Sequence, residues 1–204
     1  MLTPDETSDI IKLYHDRYEK DGYQVSTVGW KNIEEQILRF KILCDISDLT
    51  GASICDIGCG FGDLIPYLKR RFSDFTYVGV DISEKLIQKA SQLHPGYSFR
   101  NIDILDSSFV DKFDYFLLSG ALSYRIKDNM SLMQKMLSKM FLLSNKGVAV
   151  NFLSSYVNYQ HIRNFHYEPE KVFSFSKSLT KSVTLRHDYP LWEFTVFLYR
   201  EVNF

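Results

Sequence analysis

The sequence predicts a doubly wound α/β domain, in which helices cover both faces of a mostly parallel sheet and two further helices precede that sheet. Short apolar runs alternate with helical segments between residues 53 and 153, as is typical of parallel strands joined by crossover helices. The last two apolar runs are separated by too few residues for a crossover, so we expect the last strand to be antiparallel.

Two amphipathic helices are predicted before the first strand. Thr3 can cap the first of them, Pro4 suits its first turn, and Glu6 stands three residues after the cap. The second helix carries apolar residues at helical spacing. We therefore interpret the chain as a single domain with an N-terminal helical cover over residues 1–48 and an α/β core over residues 49–204.

Within the core, strands and helices are predicted from apolar runs and from the amphipathic stretches between them. Parallel strands are expected at residues 53–57, 75–80, 97–102, 113–118 and 147–153. Helices are expected at residues 64–71, 83–90 and 128–143, and a further short helix after a loop over residues 154–170. The closing hairpin is expected at residues 182–186 and 194–199.

Composition and charge argue against several kinds of partner. The chain has 24 basic and 25 acidic side chains among 204 residues, so no overall field draws it onto a polyanion. Nucleic acids and anionic membranes are therefore not expected as partners. No apolar run reaches the roughly 18 residues of a membrane span, and the N-terminus lacks the pattern of a signal peptide. We expect a cytoplasmic protein.

The cysteines indicate neither disulfides nor a metal site. Cys44, Cys55 and Cys59 are odd in number and lack paired-ligand spacing. Cys55 is predicted on a buried strand and Cys59 in the loop that follows it. Small buried thiols of this kind are typical of a reducing compartment, and no metal is expected.

The first strand-to-helix turn is rich in glycine, which lets the backbone turn sharply and lets a ligand lie against bare main chain. Its sequence is Asp56-Ile57-Gly58-Cys59-Gly60-Phe61-Gly62. In an open α/β sheet, ligands bind beyond the carboxyl ends of the strands. A dinucleotide fingerprint requires a third glycine at the sixth position from Gly58, where this chain has Asp63. A nicotinamide oxidoreductase is therefore disfavoured.

This turn resembles motif I of the class I S-adenosylmethionine-dependent methyltransferases, in which an acidic residue stands two positions before a G-x-G-x-G run. The resemblance implies a Rossmann-like seven-stranded sheet, S-adenosylmethionine as cofactor and S-adenosylhomocysteine as product. It also implies that Asp56 holds the ammonium group of the cofactor. The backbone floor beneath the methionyl part is then formed by Gly58, Cys59, Gly60 and Gly62.

Two further acidic residues match the family at the ends of the next strands. Asp81 lies about 20 residues past the glycine turn, where a carboxylate can accept both ribose hydroxyls, and it matches the family's motif II. The resemblance then places Ile82 on the adenine. It also places Asp103 at the adenine amino group, with Ile104 beside it. The alternative is that Asp81 and Asp103 only cap helices or turns.

Other cofactor contacts are expected from the fourth strand and the N-terminal helices. Ser119 and Gly120 are expected to line the methyl-transfer side. The stretch from Gly29 to Phe40 resembles the helical lead of small-molecule methyltransferases. Arg39 on this lead is expected to make a bidentate contact with the cofactor carboxylate. A solvated arginine on a helix face is the alternative.

The methyl acceptor is expected to be a small molecule. The Asn/Asp-Pro-Pro-aromatic run of amino-methylating nucleic-acid enzymes is absent after the fourth strand, and no cysteine lies there. Either His161 or His166 is a candidate base, since neutral imidazole suits proton removal near pH 7, and the alternative is a surface or packing role for each. The acceptor wall is expected to contain Tyr124, Asn151, Tyr156 and Tyr167.

The sequence therefore predicts a methyltransferase acting on an oxygen or nitrogen of a small molecule. The alternative is a non-catalytic protein that binds S-adenosylmethionine within a larger assembly. The acceptor, the methylated atom, the use of a base and the oligomeric state remain open at this level.

Overall fold

In the computed structural model, residues 2–200 are described, and a seven-stranded sheet forms the centre of the molecule. The strands are β1 (Ser53–Ile57), β2 (Thr76–Asp81), β3 (Ser98–Asn101), β4 (Phe113–Leu118), β5 (Ser144–Leu153), β6 (Val183–Arg186) and β7 (Glu193–Tyr199). The helices are α1 (Pro4–Asp21), α2 (Ile33–Cys44), α3 (Leu64–Arg71), α4 (Glu84–Leu93), α5 (Asn129–Leu143) and α6 (Pro169–Leu179).

The strand order is β3-β2-β1-β4-β5-β7-β6, so the order reverses between β1 and β4. Strands β1 to β5 are parallel, whereas β7 pairs antiparallel with both β5 and β6. The predicted fold class, including the antiparallel last strand, is confirmed. A crevice is expected where the order reverses, at the carboxyl ends of β1 and β4.

One boundary differs clearly from the prediction, since β5 begins at Ser144 and not at Gly147. Ser144 pairs with Phe113, and the register of the two strands shifts before Tyr115 pairs with Gly147. The added residues are polar, so an apolar pattern does not reveal them. They become strand because β4 offers them a partner.

The core lies in two layers because successive side chains of a strand point to opposite faces of the sheet. On β4, Phe116 and Leu118 belong to the cluster packed against α5 and α6. Tyr115 and Leu117 belong to the opposite cluster, which contains residues of α2 and α3. Helix α2 is therefore part of a core layer.

Helix α1 differs from α2 because none of its residues is buried. Its N-terminus carries the predicted capping box, in which the Glu6 amide donates to Thr3 Oγ1 at 3.2 Å and the Thr3 amide donates to Glu6. Contacts with the core include a 3.1 Å hydrogen bond between His15 and Ser83. A Glu6 oxygen also accepts from the Lys127 amide at 2.9 Å.

Over residues 2–200, no helix combines the length and apolar character needed to cross a membrane. The same part of the chain contains no cluster of histidine, cysteine and acidic side chains arranged to hold a metal ion. Its three cysteines are buried and unpaired.

Candidate active site

A cavity of about 560 Å³ lies at the carboxyl ends of β1, β2, β4 and β5, with α1 and α2 contributing to its wall. This volume falls within the roughly 300–1,000 Å³ of small-molecule sites. The structure brings fourteen of the predicted site residues into its lining. They are Arg39, Asp56, Gly58, Cys59, Gly60, Asp81, Ile82, Asp103, Ile104, Ser119, Gly120, Tyr124, Asn151 and His161.

The glycine turn is held in place by close packing and by a carboxylate. A Cβ atom on Gly58 would lie 2.5 Å from the Ala121 Cβ, so only glycine fits between β1 and the loop after β4. The Gly60 amide donates to Asp81 Oδ2 at 3.0 Å. The turn after β1 is thereby tied to the end of β2, and both face the same cavity.

Asp81 makes a second backbone contact, since its Oδ1 accepts from the Ser83 amide at 2.9 Å. Burial raises the pKa of Asp81, and the backbone amides of Ser83 and Gly60 oppose that rise. Asp103 likewise accepts from the Leu105 amide at 2.8 Å. Both carboxylates therefore hold turns and also line the cavity, so the capping alternative and a ligand role are compatible.

Asp56 is buried at the end of β1, where the Tyr77 hydroxyl donates to its Oδ2 at 2.8 Å. Burial raises the pKa of Asp56 from 3.8 to about 7, although the hydrogen bond from Tyr77 lowers it. A cationic group in the cavity would favour the ionised carboxylate and reverse part of this shift.

The raised pKa of Asp56 predicts that the stability of the ligand-free protein depends on pH. The pKa of Asp56 in the folded chain lies above its ordinary value of 3.8, so the folded state binds the proton more tightly than the unfolded state. The contribution of this proton to the free energy of unfolding is complete below about pH 4 and is lost as the pH rises through about 7. Asp56→Asn is expected to flatten the unfolding free energy over this window, as measured by urea denaturation. Asp81 and Glu193, whose pKa burial also raises, add slope of the same sign, whereas His94, whose pKa burial lowers, opposes it. An Asp56→Asn profile as steep as that of the unaltered chain would contradict this assignment.

Arg39 is neither solvated nor free for a bidentate contact with a ligand. It is 7% exposed, and its Nε donates to Glu193 Oε2 at 2.8 Å while its Nη2 donates to Glu193 Oε1 at 2.5 Å. The Trp30 ring lies 4.5 Å from the guanidinium carbon. Glu193 therefore occupies the Nε–Nη2 edge of the Arg39 guanidinium and leaves only Nη1 without a partner. The prediction of a bidentate contact between Arg39 and the cofactor carboxylate is wrong for this reason.

Two predicted wall residues lie away from the cavity lining. Tyr167 is fully buried, its hydroxyl donates to the Leu122 carbonyl at 3.1 Å, and its ring packs against Phe152. Tyr156 is 60% exposed, and its hydroxyl donates to Glu170 on α6. Both positions are set by packing between the loop after β5 and its neighbours. The sequence pattern did not distinguish this packing role from a role in the wall of the acceptor site.

Two further predicted residues also lie outside the lining. His166 directs Nδ1 to the Ser154 carbonyl at 2.8 Å, so it packs against the end of β5. A Cβ atom on Gly62 would lie 3.0 Å from both His94 and Phe99, so this glycine serves helix and strand packing. His161 lines the cavity but is exposed.

Sequence reasoning missed several lining residues, namely Tyr14, Arg17, Trp30, Gln36 and Glu193. A signal existed for Glu193, because it is a lone charge at the start of an apolar strand. Tyr14 belongs to the apolar stripe of α1, which predicted a packed face but not a cavity wall.

Comparisons with known proteins show the family of the chain. Residues 54–142 match a family model described as a methyltransferase domain. The chain is 32% identical over 152 residues to the putative methyltransferase Rv1506c of Mycobacterium tuberculosis (strain ATCC 25618 / H37Rv), covering 71% of this chain and 90% of that protein.

Solved structures share the fold at low sequence identity. Magnesium protoporphyrin IX methyltransferase from Synechocystis PCC 6803, with bound SAM, superposes with a TM-score of 0.70 at 17% identity, covering 98% of this chain and 100% of that one. The N-methyltransferase NodS from Bradyrhizobium japonicum WM9, in complex with S-adenosyl-L-homocysteine, has a TM-score of 0.66 at 17% identity, covering 95% and 97%.

The glycine turn, the strand order and these matches define a methyltransferase fold with a cavity at the carboxyl ends of the strands. The chain belongs to the class I S-adenosylmethionine-dependent methyltransferases. It is accordingly an enzyme whose cofactor is S-adenosylmethionine.

Proposed function

We propose that this enzyme transfers the methyl group of S-adenosylmethionine to an oxygen or nitrogen of a small-molecule acceptor bound in the cavity. The observation that carries the proposal is the hydrogen bond from the Gly60 amide to Asp81, because it unites the glycine turn and the acidic end of β2 in one wall. The cavity is also large enough for a cofactor with part of an acceptor.

The cofactor is proposed to lie across the ends of β1 and β2. Asp81 would accept hydrogen bonds from the ribose hydroxyls, while Asp103 would accept one from the adenine amino group. Asp56 would hold the ammonium group, whose positive charge offsets the cost of ionising a buried carboxyl. The backbone floor is proposed to comprise Gly58, Cys59 and Gly60, with Ile82 and Ile104 on the adenine.

The acceptor is proposed to lie on the other side of the methyl group, near Ser119, Tyr124 and Asn151. Methyl transfer is an in-line displacement at a sulfonium carbon, so the protein contributes mainly alignment. His161 is the one proposed base that lines the cavity, and an oxygen acceptor would use it for proton removal. The apolar side chains of α1 would exclude water from this region.

Calorimetric titration of the purified chain tests this proposal directly. We expect micromolar binding of S-adenosylmethionine and S-adenosylhomocysteine, with NAD and NADP as controls that do not bind. Tighter binding of NAD or NADP than of S-adenosylmethionine would contradict the proposed site.

Asp81→Asn is expected to weaken S-adenosylhomocysteine binding by about 1.5–3 kcal/mol, the worth of hydrogen bonds to a charged group. The unaltered chain should also prefer S-adenosylhomocysteine over its 2′-deoxy analogue, and the variant should lose that preference. Asp106→Asn is a matched control, because Asp106 binds the Ser108 amide and hydroxyl outside the cavity lining. An unchanged preference in Asp81→Asn would remove Asp81 from the ribose.

A further inference from the structure

Four side chains in the cavity lining carry buried polar atoms that have no hydrogen-bond partner among the described residues. We call these four residues the polar subsite. Most buried polar atoms in proteins are hydrogen-bonded, so four unpartnered polar atoms in one cavity lining indicate a ligand that forms the missing hydrogen bonds. The atoms are Gln36 Oε1, Arg39 Nη1, Ser119 Oγ and Asn151 Oδ1.

The amide of Asn151 is held by a buried network. Asn151 is 3% exposed at the end of β5, and its Nδ2 donates to Thr195 Oγ1 on β7 at 2.7 Å. The Tyr189 hydroxyl lies 2.9 Å from the same Thr195 oxygen. Because the nitrogen is engaged, the carbonyl oxygen of Asn151 is left as a hydrogen-bond acceptor.

Gln36 presents a second carbonyl oxygen from α2. Its Nε2 donates to Asp63 Oδ2 at 3.2 Å, and a carboxylate can only accept, so the amide orientation is determined. Gln36 is 2% exposed. The polar subsite therefore offers amide carbonyl oxygens from both α2 and β5.

None of the four side chains of the polar subsite, which are two amides, a guanidinium and a hydroxyl, removes a proton near neutral pH. Both carboxylate oxygens of Glu193 bind Arg39, which neutralises the charge of each. His166 lies outside the cavity lining, and His161 is exposed and not among the buried subsite residues. A hydroxyl nucleophile would need a base, which none of these four side chains supplies. A neutral amine needs no proton removal before it attacks.

We propose that the acceptor is an amine and that Asn151 Oδ1 accepts a hydrogen bond from its N–H, which directs the nitrogen lone pair at the methyl group. This inference rests on the proposed function. The lone pair forms a bond to the methyl carbon while the carbon–sulfur bond breaks. The electron pair of that bond passes to sulfur, giving S-adenosylhomocysteine, and the methylated ammonium then loses a proton to water. Thr195 is a positioning residue that acts through Asn151.

The methylated atom can be identified without knowing the acceptor. The purified full chain is incubated with [methyl-¹³C]S-adenosylmethionine and the small-molecule extract of the cells that produce it. The carbon chemical shift of the transferred methyl group then distinguishes nitrogen from oxygen, sulfur and carbon. We expect an N-methyl signal. An O-, S- or C-methyl signal would overturn the amine acceptor and leave the proposed cofactor site intact.

Failures of the two proposals are distinguishable in the same preparation. Absence of S-adenosylhomocysteine binding in a calorimetric titration would contradict the proposed cofactor site. Normal binding of S-adenosylhomocysteine together with a labelled product that carries an O-, S- or C-methyl group would overturn only the amine inference.

Variants of the network test the role of Asn151. Asn151→Leu is expected to lower methyl transfer about tenfold by removing one hydrogen bond, with the dissociation constant of S-adenosylhomocysteine unchanged. Thr195→Val should act similarly, and Thr195→Ser should restore transfer because it keeps the hydroxyl. Thr184→Val on the exposed face of β6 is the matched control. Full transfer by both Asn151→Leu and Thr195→Val would overturn the role of Asn151.

Discussion

Gly60→Arg is expected to abolish binding of S-adenosylmethionine while the chain still folds. Gly60 lines the cavity with a φ of +54°, and a Cβ atom there would lie 3.2 Å from Val28 Cγ1. A long charged side chain at this position must either fill the space proposed for the cofactor or displace the loop that carries Val28. We expect a loss of affinity on the order of a hundredfold or more, because the side chain occupies the space proposed for the cofactor.

The cost to folding should be smaller, about 1–2 kcal/mol for a side chain in the left-handed region. Gly96→Arg is the matched control, since a Cβ atom on Gly96 meets nothing within 4 Å and its φ is not positive. Binding is measured by calorimetry and stability by urea denaturation. A folded Gly60→Arg protein that retains its affinity would exclude the glycine turn from the cofactor site.

Arg39→Met is expected to lower the free energy of unfolding by about 3–5 kcal/mol, because it leaves the Glu193 carboxylate buried without its partner. Glu193 is 3% exposed and binds Arg39 with both oxygens. Methionine preserves much of the packing against Trp30, so the loss reports mainly the uncompensated charge. Urea denaturation of the ligand-free chain measures it.

A double variant separates charge from packing. Arg39→Met combined with Glu193→Leu is expected to recover most of the lost stability, since a buried ion pair is often replaceable by apolar side chains. Arg186→Met is the matched control, because the side chains of Arg186 and its partner Asp45 are 30% and 26% exposed and such pairs contribute less than about 1 kcal/mol. Equal decreases in the free energy of unfolding for Arg39→Met and Arg186→Met would show that the buried Glu193 carboxylate does not need Arg39 to compensate its charge.

Much of the fold was predictable because its signals are local. The apolar runs of β1, β2 and β4 have strand length and are bounded by turns, and the short spacing between β6 and β7 excludes a crossover. The polar start of β5 was missed, because Ser144 becomes strand only through its partner on β4.

The part of the site that the sequence determined by itself is the glycine turn with Asp56, Asp81 and Asp103. Each of the three acidic residues lies within two positions of the carboxyl end of a strand, and the glycine turn follows β1. Because the carboxyl ends of parallel strands meet at one edge of the sheet, the convergence of these residues follows from local pattern and topology. Their roles toward the cofactor stay predictions until the variants are measured.

Only the tertiary structure decided the partners of Arg39 and the membership of the polar subsite. Arg39 and Glu193 are 154 positions apart, and Asn151 and Thr195 are 44 apart. Their meeting depends on the antiparallel register of β5 and β7, in which Leu153 pairs with Glu193. A shift of one residue in that register would turn each β7 side chain to the opposite face of the sheet, and no local pattern specifies such a pairing in advance.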